Sequence, residues 1–273
     1  MPLLDVRQVS YRYPDGRFGL ENCSLQFFPA TRNALLGANG SGKTTLLQHL
    51  NGLLKPRHGH IIYAGTPIDY SRKGLFALRA RIGLVFQNPD RQLFSADVRE
   101  DVSFGPMNLD LDEATVRQRV DASLAAVNMT HLANQPLHAL SFGQKKRVAI
   151  AGVLAMQPEV LLLDEPMSGL DATMQAELLT LLEGLSAGGI TIVLSTHDVD
   201  FAYRWADAIH LLAGGRCTAS FAACDLPQHV DTLRTAGQTL PSVLAVQETL
   251  KAHGVLHEGP GARSLPELLA RLS

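Results

Sequence analysis

Three groups of residues have types and spacings that could do chemistry, and each suits the handling of a phosphate. The first is Gly37-Ala38-Asn39-Gly40-Ser41-Gly42-Lys43-Thr44. Glycines let successive backbone N–H groups turn inward as a nest for an anion. A helix starting there adds its unpaired donors and the positive end of its dipole. Lys43 supplies a point charge for the β- and γ-phosphates, and the Thr44 hydroxyl is the expected Mg²⁺ ligand. The second is Val160-Leu161-Leu162-Leu163-Asp164-Glu165, an apolar run that closes on two carboxylates. Asp164 can hold Mg²⁺ directly or through water, and Glu165 can take a proton from an attacking water. The third is His197, which follows the apolar run Ile190–Thr196 and can hydrogen-bond a γ-phosphate. Taken singly, the acids and the histidine are commonly structural, whereas the glycine-rich loop is rarely a chance pattern. Together they predict nucleotide binding.

The flanking sequence supplies the elements that must position these groups. Asn33-Ala34-Leu35-Leu36 reads as a buried strand before the glycine-rich loop, and Thr45–Leu50 as the first turns of a helix after it. Val160–Leu163 is apolar enough for a strand buried on both faces. Another strand, Arg81–Gln87, ends in a polar residue. In a parallel sheet the carboxyl ends of the strands face the ligand crevice. Gln87 is therefore placed to feel a phosphate, a metal or an attacking water, although a glutamine at a strand end is usually only solvated.

Residues 3–36 read as strands and turns, with Val6, Val9 and Tyr11 at mixed spacing and Tyr13-Pro14-Asp15-Gly16 as a turn. Tyr13, with Tyr11 beside it, offers a face for stacking on adenine or ordinary strand packing. Residues 57–70 look like a β-ribbon. From about 91 to 156 the pattern turns helical, with Asp112 as a cap and Val116, Val120, Leu124 and Val127 on one face. Ser141 caps a further helix and offers a second anion site. Lys145-Lys146-Arg147 behind it reads as a solvated basic face, with a partner contact as the alternative. Ser168-Gly169-Leu170-Asp171 is a turn into a helix over Thr173–Leu185. After residue 221 prolines and glycines leave short helical pieces such as Ser242–Lys251.

Composition excludes several classes. The 273 residues suffice for one large α/β domain with a small appendage. A net charge of −2 gives no basic field, so no nucleic acid partner is expected. Cys23, Cys217 and Cys224 fit reduced thiols in a cytosolic protein. The charged N-terminus lacks the apolar core of a signal peptide, and no run nears the ~20 apolar residues of a membrane span. His58 with His60, and His253 with His257, have spacings compatible with metal, but no cluster of ligands surrounds either pair.

The ordered set resembles the ATP-binding subunits of ABC transporters over roughly residues 3–220. Gly37–Thr44 is similar to Walker A, Gln87 to the Q-loop and Leu140–Gln144 to the signature. Val160–Glu165 resembles Walker B with its catalytic acid, Ser168–Asp171 the D-loop and His197 the switch histidine. The resemblance implies an ATP-Mg²⁺ site made by Tyr13, Gly37, Asn39, Gly40, Ser41, Gly42, Lys43, Thr44 and Thr45. Thr44, Gln87 and Asp164 would serve the metal, and Glu165, His197 and Gln87 the hydrolysis. Ser141, Gly143, Gln144 and Asp171 would act across a dimer of two copies. It further implies a mostly parallel core sheet, an N-terminal antiparallel β region and an inserted helical subdomain at about 91–156. Residues 1–220 would form the ATP-binding domain and 221–273 a small helical segment with a role in dimer contact.

Phe86–Phe94 and Asp101–Pro106 look like the energy-coupling-factor branch of importers. Leu140–Gly152, with Asp69-Tyr70-Ser71 leading to Gly74-Leu75, looks most like its cobalt ATPases, with nickel relatives next and vitamin importers third. That resemblance implies a peripheral subunit at the cytoplasmic face of a bacterial membrane. Its partners would be a transmembrane coupling protein and a substrate-binding membrane protein. A soluble ABC protein acting on nucleic acid or ribosomes is the reading from another class. Phe142, in place of the usual first signature glycine, and Met167 before the D-loop depart from the pattern.

Overall fold

The computed structural model describes residues 1–256 and 261–272. Two sheets frame it. Strands β1 (Leu4–Arg12) and β2 (Phe18–Phe27) pair antiparallel through the turn at Tyr13–Gly16. Register shifts after Val6 and Val9 account for the mixed spacing of the apolar residues in β1. β3 (Arg32–Leu36) then runs into the glycine-rich loop and α1 (Lys43–Leu50). β4 (His58–Tyr63) and β5 (Thr66–Pro67) complete an antiparallel sheet of order β2-β1-β4-β5.

Next come α2 (Arg72–Arg81) and β6 (Ile82–Val85). The expected strand over 81–87 is thus shorter, with Arg81 in the helix and Gln87 two residues beyond the strand. Helix α2 has no counterpart among the sequence-based expectations. Among its residues only Leu78 is buried, so there is no apolar stripe to read.

The helical stretch contains α3 (Val98–Met107), α4 (Glu113–Ala126) and α5 (Phe142–Leu154). Asp112 caps α4 by accepting from the Thr115 N–H, and Val116, Val120, Leu124 and Val127 are buried as their spacing predicts. The chain then returns through β7 (Val160–Leu163), α6 (Ala172–Ala187), β8 (Thr191–Thr196) and α7 (Val199–Trp205) to the hairpin β9 (Ala208–Ala213) and β10 (Arg216–Ala222).

The second sheet has the order β10-β9-β3-β8-β7-β6, parallel throughout except for β10. Its central strands are buried on both faces. Leu161, Leu163, Ile192 and Leu194 point into one apolar cluster, and Val160, Leu162 and Val193 into the other, which α1 and the antiparallel sheet cover. The carboxyl ends of β3, β8, β7 and β6 therefore emerge side by side at one edge.

The last helices are α8 (Val230–Thr235), α9 (Ser242–Ala252) and α10 (Leu265–Ala270). Leu226, Leu233 and Leu244 share the apolar cluster of Tyr203 and Trp205. His253 closes α9 before Gly254, while His257, Gly259 and Pro260 lie outside the described residues. His58 and His60 are exposed on β4. Among the described residues no group of three or more His, Cys, Asp or Glu could hold a metal, and no helix is long and apolar enough to cross a membrane.

Candidate nucleotide site

The loop between β3 and α1 is built around its lysine. Lys43 is buried, and its Nζ donates to the carbonyls of Gly37 (2.7 Å) and Ala38 (3.1 Å), which curls the loop around the side chain. Gly42 stands at the helix N-cap with φ +106°, where a Cβ would meet the Gly19 carbonyl at 2.8 Å. Only glycine fits there. The Gly215 N–H bonds the Ser41 carbonyl at 3.0 Å, tying the loop to the β9–β10 turn. Ala38, Asn39 and Gly40 are exposed, while Ser41 is buried.

The carboxyl ends of β7 and β8 bring the acids to this loop. The Thr44 hydroxyl donates to the Asp164 carboxylate at 2.8 Å and 3.1 Å. Ser195 on β8, which the sequence reading did not single out, links the two acids. Its hydroxyl donates to Asp164 Oδ1 (2.6 Å) and accepts the Glu165 N–H (2.8 Å). Glu165 has φ +44°, a left-handed conformation uncommon outside glycine, and this bond helps hold it. Glu165 Oε1 lies 3.5 Å from Lys43 Nζ, and Oε2 is 3.1 Å from His197 Nδ1. Tyr13 Oη and Thr45 Oγ1 are 3.0 Å apart at the entrance, and the Tyr11 ring meets Tyr13 edge-on.

Lys43, Thr44, Asp164, Glu165 and His197 thus form one bonded cluster. Gln87 is exposed and apart from those bonds. The Ser141 region is self-contained as well. The Ser141 Oγ accepts the Gln144 N–H (3.3 Å) while Gln144 Oε1 accepts the Ser141 N–H (2.8 Å), a reciprocal capping box. Gly143 packs so closely on α6 that a Cβ would lie 2.4 Å from Met174 Sδ. Asp171 caps α6 by accepting the Met174 N–H. Phe142 lies against Gly169, where a Cβ would meet its ring at 2.8 Å, so this departure fills the space above the 168–171 turn.

One expectation is overturned. Lys145-Lys146-Arg147 is not a solvated basic face. Lys145 pairs with Asp90 at 2.7 Å and Arg147 pairs with Glu177. Lys146 is only 2% exposed, and its ammonium donates to the carbonyls of Pro166 (2.8 Å), Ser168 (2.9 Å) and, more weakly, Glu165 (3.4 Å). Burial pushes its pKa down to about 8, opposed by the charges of Glu165 and Asp164. A run of three like charges hides such a role because only the tertiary fold brings those carbonyls together.

The residues fit a nucleotide with a hard divalent cation. Ser41 Oγ is buried without a hydrogen-bond partner, and Glu165 Oε1 has the ion pair with Lys43 at 3.5 Å but no hydrogen bond, so both can take a further partner. The hydroxyl and carboxylate of Thr44 and Asp164 are the oxygen donors such a cation takes.

A P-loop at the carboxyl edge of a parallel sheet, facing paired acids and a histidine, defines an ATPase of the ABC type. The model of the ABC transporter family matches residues 20–168, and the chain belongs to that family. It is 49% identical over 243 residues to the cobalt import ATP-binding protein CbiO of Rhodobacter capsulatus, covering 89% of this chain and 87% of that one. It is 44% identical over 250 residues to the energy-coupling factor transporter ATP-binding protein EcfA of Methanocaldococcus jannaschii, covering 92% and 90%. Among solved structures, cbiO1 of Clostridium perfringens, part of the ABC transporter complex cbiONQ, aligns with a TM-score of 0.77. It is 44% identical and covers 90% of this chain and 99% of that one.

Proposed function

We propose that this chain is the ATP-hydrolysing motor of an energy-coupling-factor importer for a transition-metal ion, cobalt first. It would work as a peripheral subunit at the cytoplasmic face of the membrane. The observation that carries the hydrolytic part is the contact of one carboxylate, Glu165, with both Lys43 and His197 beside the Thr44–Asp164 pair. The likeness to the cobalt importer CbiO supports the cargo.

In this reading the exposed backbone of Ala38–Gly40 and the Lys43 ammonium receive the phosphates. Tyr13 stacks on the adenine. Mg²⁺, held by Thr44 and Asp164 with Gln87 at the rim, would neutralise charge on the β- and γ-phosphates. Glu165 orients a water and takes its proton, and His197 keeps the carboxylate aimed. Lys43 offsets the negative charge that builds on the transferred group. Ser141 is exposed and it and Gln144 are bonded to each other, which supports action of this helix start on the nucleotide of a second copy, with Gly143 packed beneath it on α6. There the capping box would open to free the Ser141 hydroxyl and the helix N-terminus.

The membrane partners would dock beside Gln87. Phe94 and Phe104 are both exposed and meet edge-on at 4.8 Å, next to a cleft reaching Leu53, Phe86 and Met156. Gln92 ties that region to the signature helix by accepting the Phe86 N–H (3.0 Å) and donating to the Ala149 carbonyl (3.4 Å). A movement at Gln87 would therefore be felt along α5.

The test is to recover the protein with its partners from native membranes and measure metal accumulation in vesicles. The expected result is a small set of integral membrane proteins and ATP-dependent Co²⁺ uptake. Ni²⁺ uptake alone would keep the motor and change the cargo. A protein that retrieves no membrane partner would overturn the transporter reading and leave the ATPase.

A further inference from the structure

The basic run after the signature has a geometry that the ATPase reading does not use. Lys145, Lys146 and Arg147 leave α5 toward three separate parts of the chain: Asp90 beyond β6, the backbone after β7, and Glu177 on α6. The two outer pairs are partly exposed and contribute little, as surface ion pairs do. The middle one differs. Its ammonium is buried, and among the described residues it has no carboxylate at bonding distance and donates to carbonyl oxygens. A buried charge satisfied only by backbone dipoles is costly to place and strict in geometry. Those carbonyls belong to the segment that leads from Glu165 to the turn at Ser168–Asp171. The ammonium also faces the Phe142 ring, 5.4 Å from its centroid.

We infer that Lys146 is a positioning residue of the hydrolysis: it fixes the backbone carrying Glu165 to the helix carrying Ser141 and Gly143. The inference rests on the composite-site reading above, in which those two ends serve different nucleotides. When the second copy's nucleotide engages Ser141 and Gly143, the strut holds the near carboxylate in register with the event. Glu165 already sits in a left-handed backbone conformation, so a change in its following carbonyls moves the carboxylate directly.

The test uses the full chain with Lys146→Met, which keeps the stem and removes the donors, and Lys146→Arg, which restores donors. Nucleotide affinity is read with a fluorescent ATP analogue and turnover by phosphate release. ATP-driven assembly is read by light scattering in a Glu165→Gln background. Lys146→Met is expected to lower kcat at least ten-fold, with nucleotide Kd within two-fold and assembly intact, and Lys146→Arg to recover part of the rate. Lys146→Leu, which also lacks donors, gives the same reading should the methionine variant fail to fold. Unchanged kcat in a folded variant would overturn the inference, as would equal losses of affinity and rate, the mark of a general packing defect. If Glu165→Gln with Lys146 intact binds ATP but never assembles, the composite site itself fails and this inference with it.

Discussion

The loop around Lys43 and the helix start at Ser141 are built in opposite ways. The Lys43 end is buried and cross-bonded: loop carbonyls hold the lysine, Ser195 bridges Asp164 and Glu165, and the carboxylate reaches both Lys43 and His197. The Ser141 end is exposed, and its polar groups satisfy one another in a capping box. The first is complete enough to grip a nucleotide within one chain. The second has donors that are turned on one another in the capping box. In the proposed reading one end is a site and the other is half of one, completed by a second copy.

Substitutions on the two sides should separate in kind. Glu165→Gln is expected to lower turnover about 10³-fold, the range for loss of a positioned general base, while ATP binding persists. Rapid-quench phosphate release with parallel nucleotide titration measures both, and hydrolysis at the normal rate would remove Glu165 as the base. Lys43→Ala should weaken nucleotide binding about 100-fold, since it strips the loop of the charge that also organises it. Calorimetric titration reads that loss, and unchanged affinity would sink the loop assignment. Ser141→Ala should leave affinity alone yet lower turnover about ten-fold, as loss of one bond to a charged group does. It should also cost about 1 kcal/mol of stability through the lost cap. A variant that instead loses nucleotide binding would place Ser141 in the wrong half.

The smallest effect concerns the strand that feeds the loop. On β9 beside β3, buried His210 bonds Asn33 Oδ1 (3.3 Å) and Ser220 Oγ (2.9 Å), and burial pushes its pKa down from 6.5 to about 4. Below pH 6.5 the unfolded chain takes up a proton that the folded one refuses. Stability therefore falls as the pH falls from 6.5 toward 4, by about 1 kcal/mol between pH 6.5 and 5.5. Urea midpoints across that range should show the slope, and His210→Gln should flatten it.

The Lys43 end was legible because its signals are local. A loop between a strand and a helix, and acids closing an apolar run, are spacing patterns that a sequence displays directly. The capping of α4 by Asp112 and of α5 by Ser141 was legible for the same reason. The contacts that make the site work were not. Ser195 lies 30 residues from Glu165, and Lys146 reaches carbonyls 20 and 22 residues away. Nothing in the residue types announces either contact. Helix α2 stayed hidden because it buries almost nothing, and the Asn33–His210 pair because its members are 177 residues apart.

The most direct test of the central claim, that one working site needs two copies, is the mass of the Glu165→Gln protein with and without ATP by sedimentation. The account predicts a single-chain mass without nucleotide, twice that mass with ATP-Mg²⁺, and loss of the assembly when Ser141 and Gly143 are altered. A protein that saturates with ATP yet keeps the single-chain mass would contradict it.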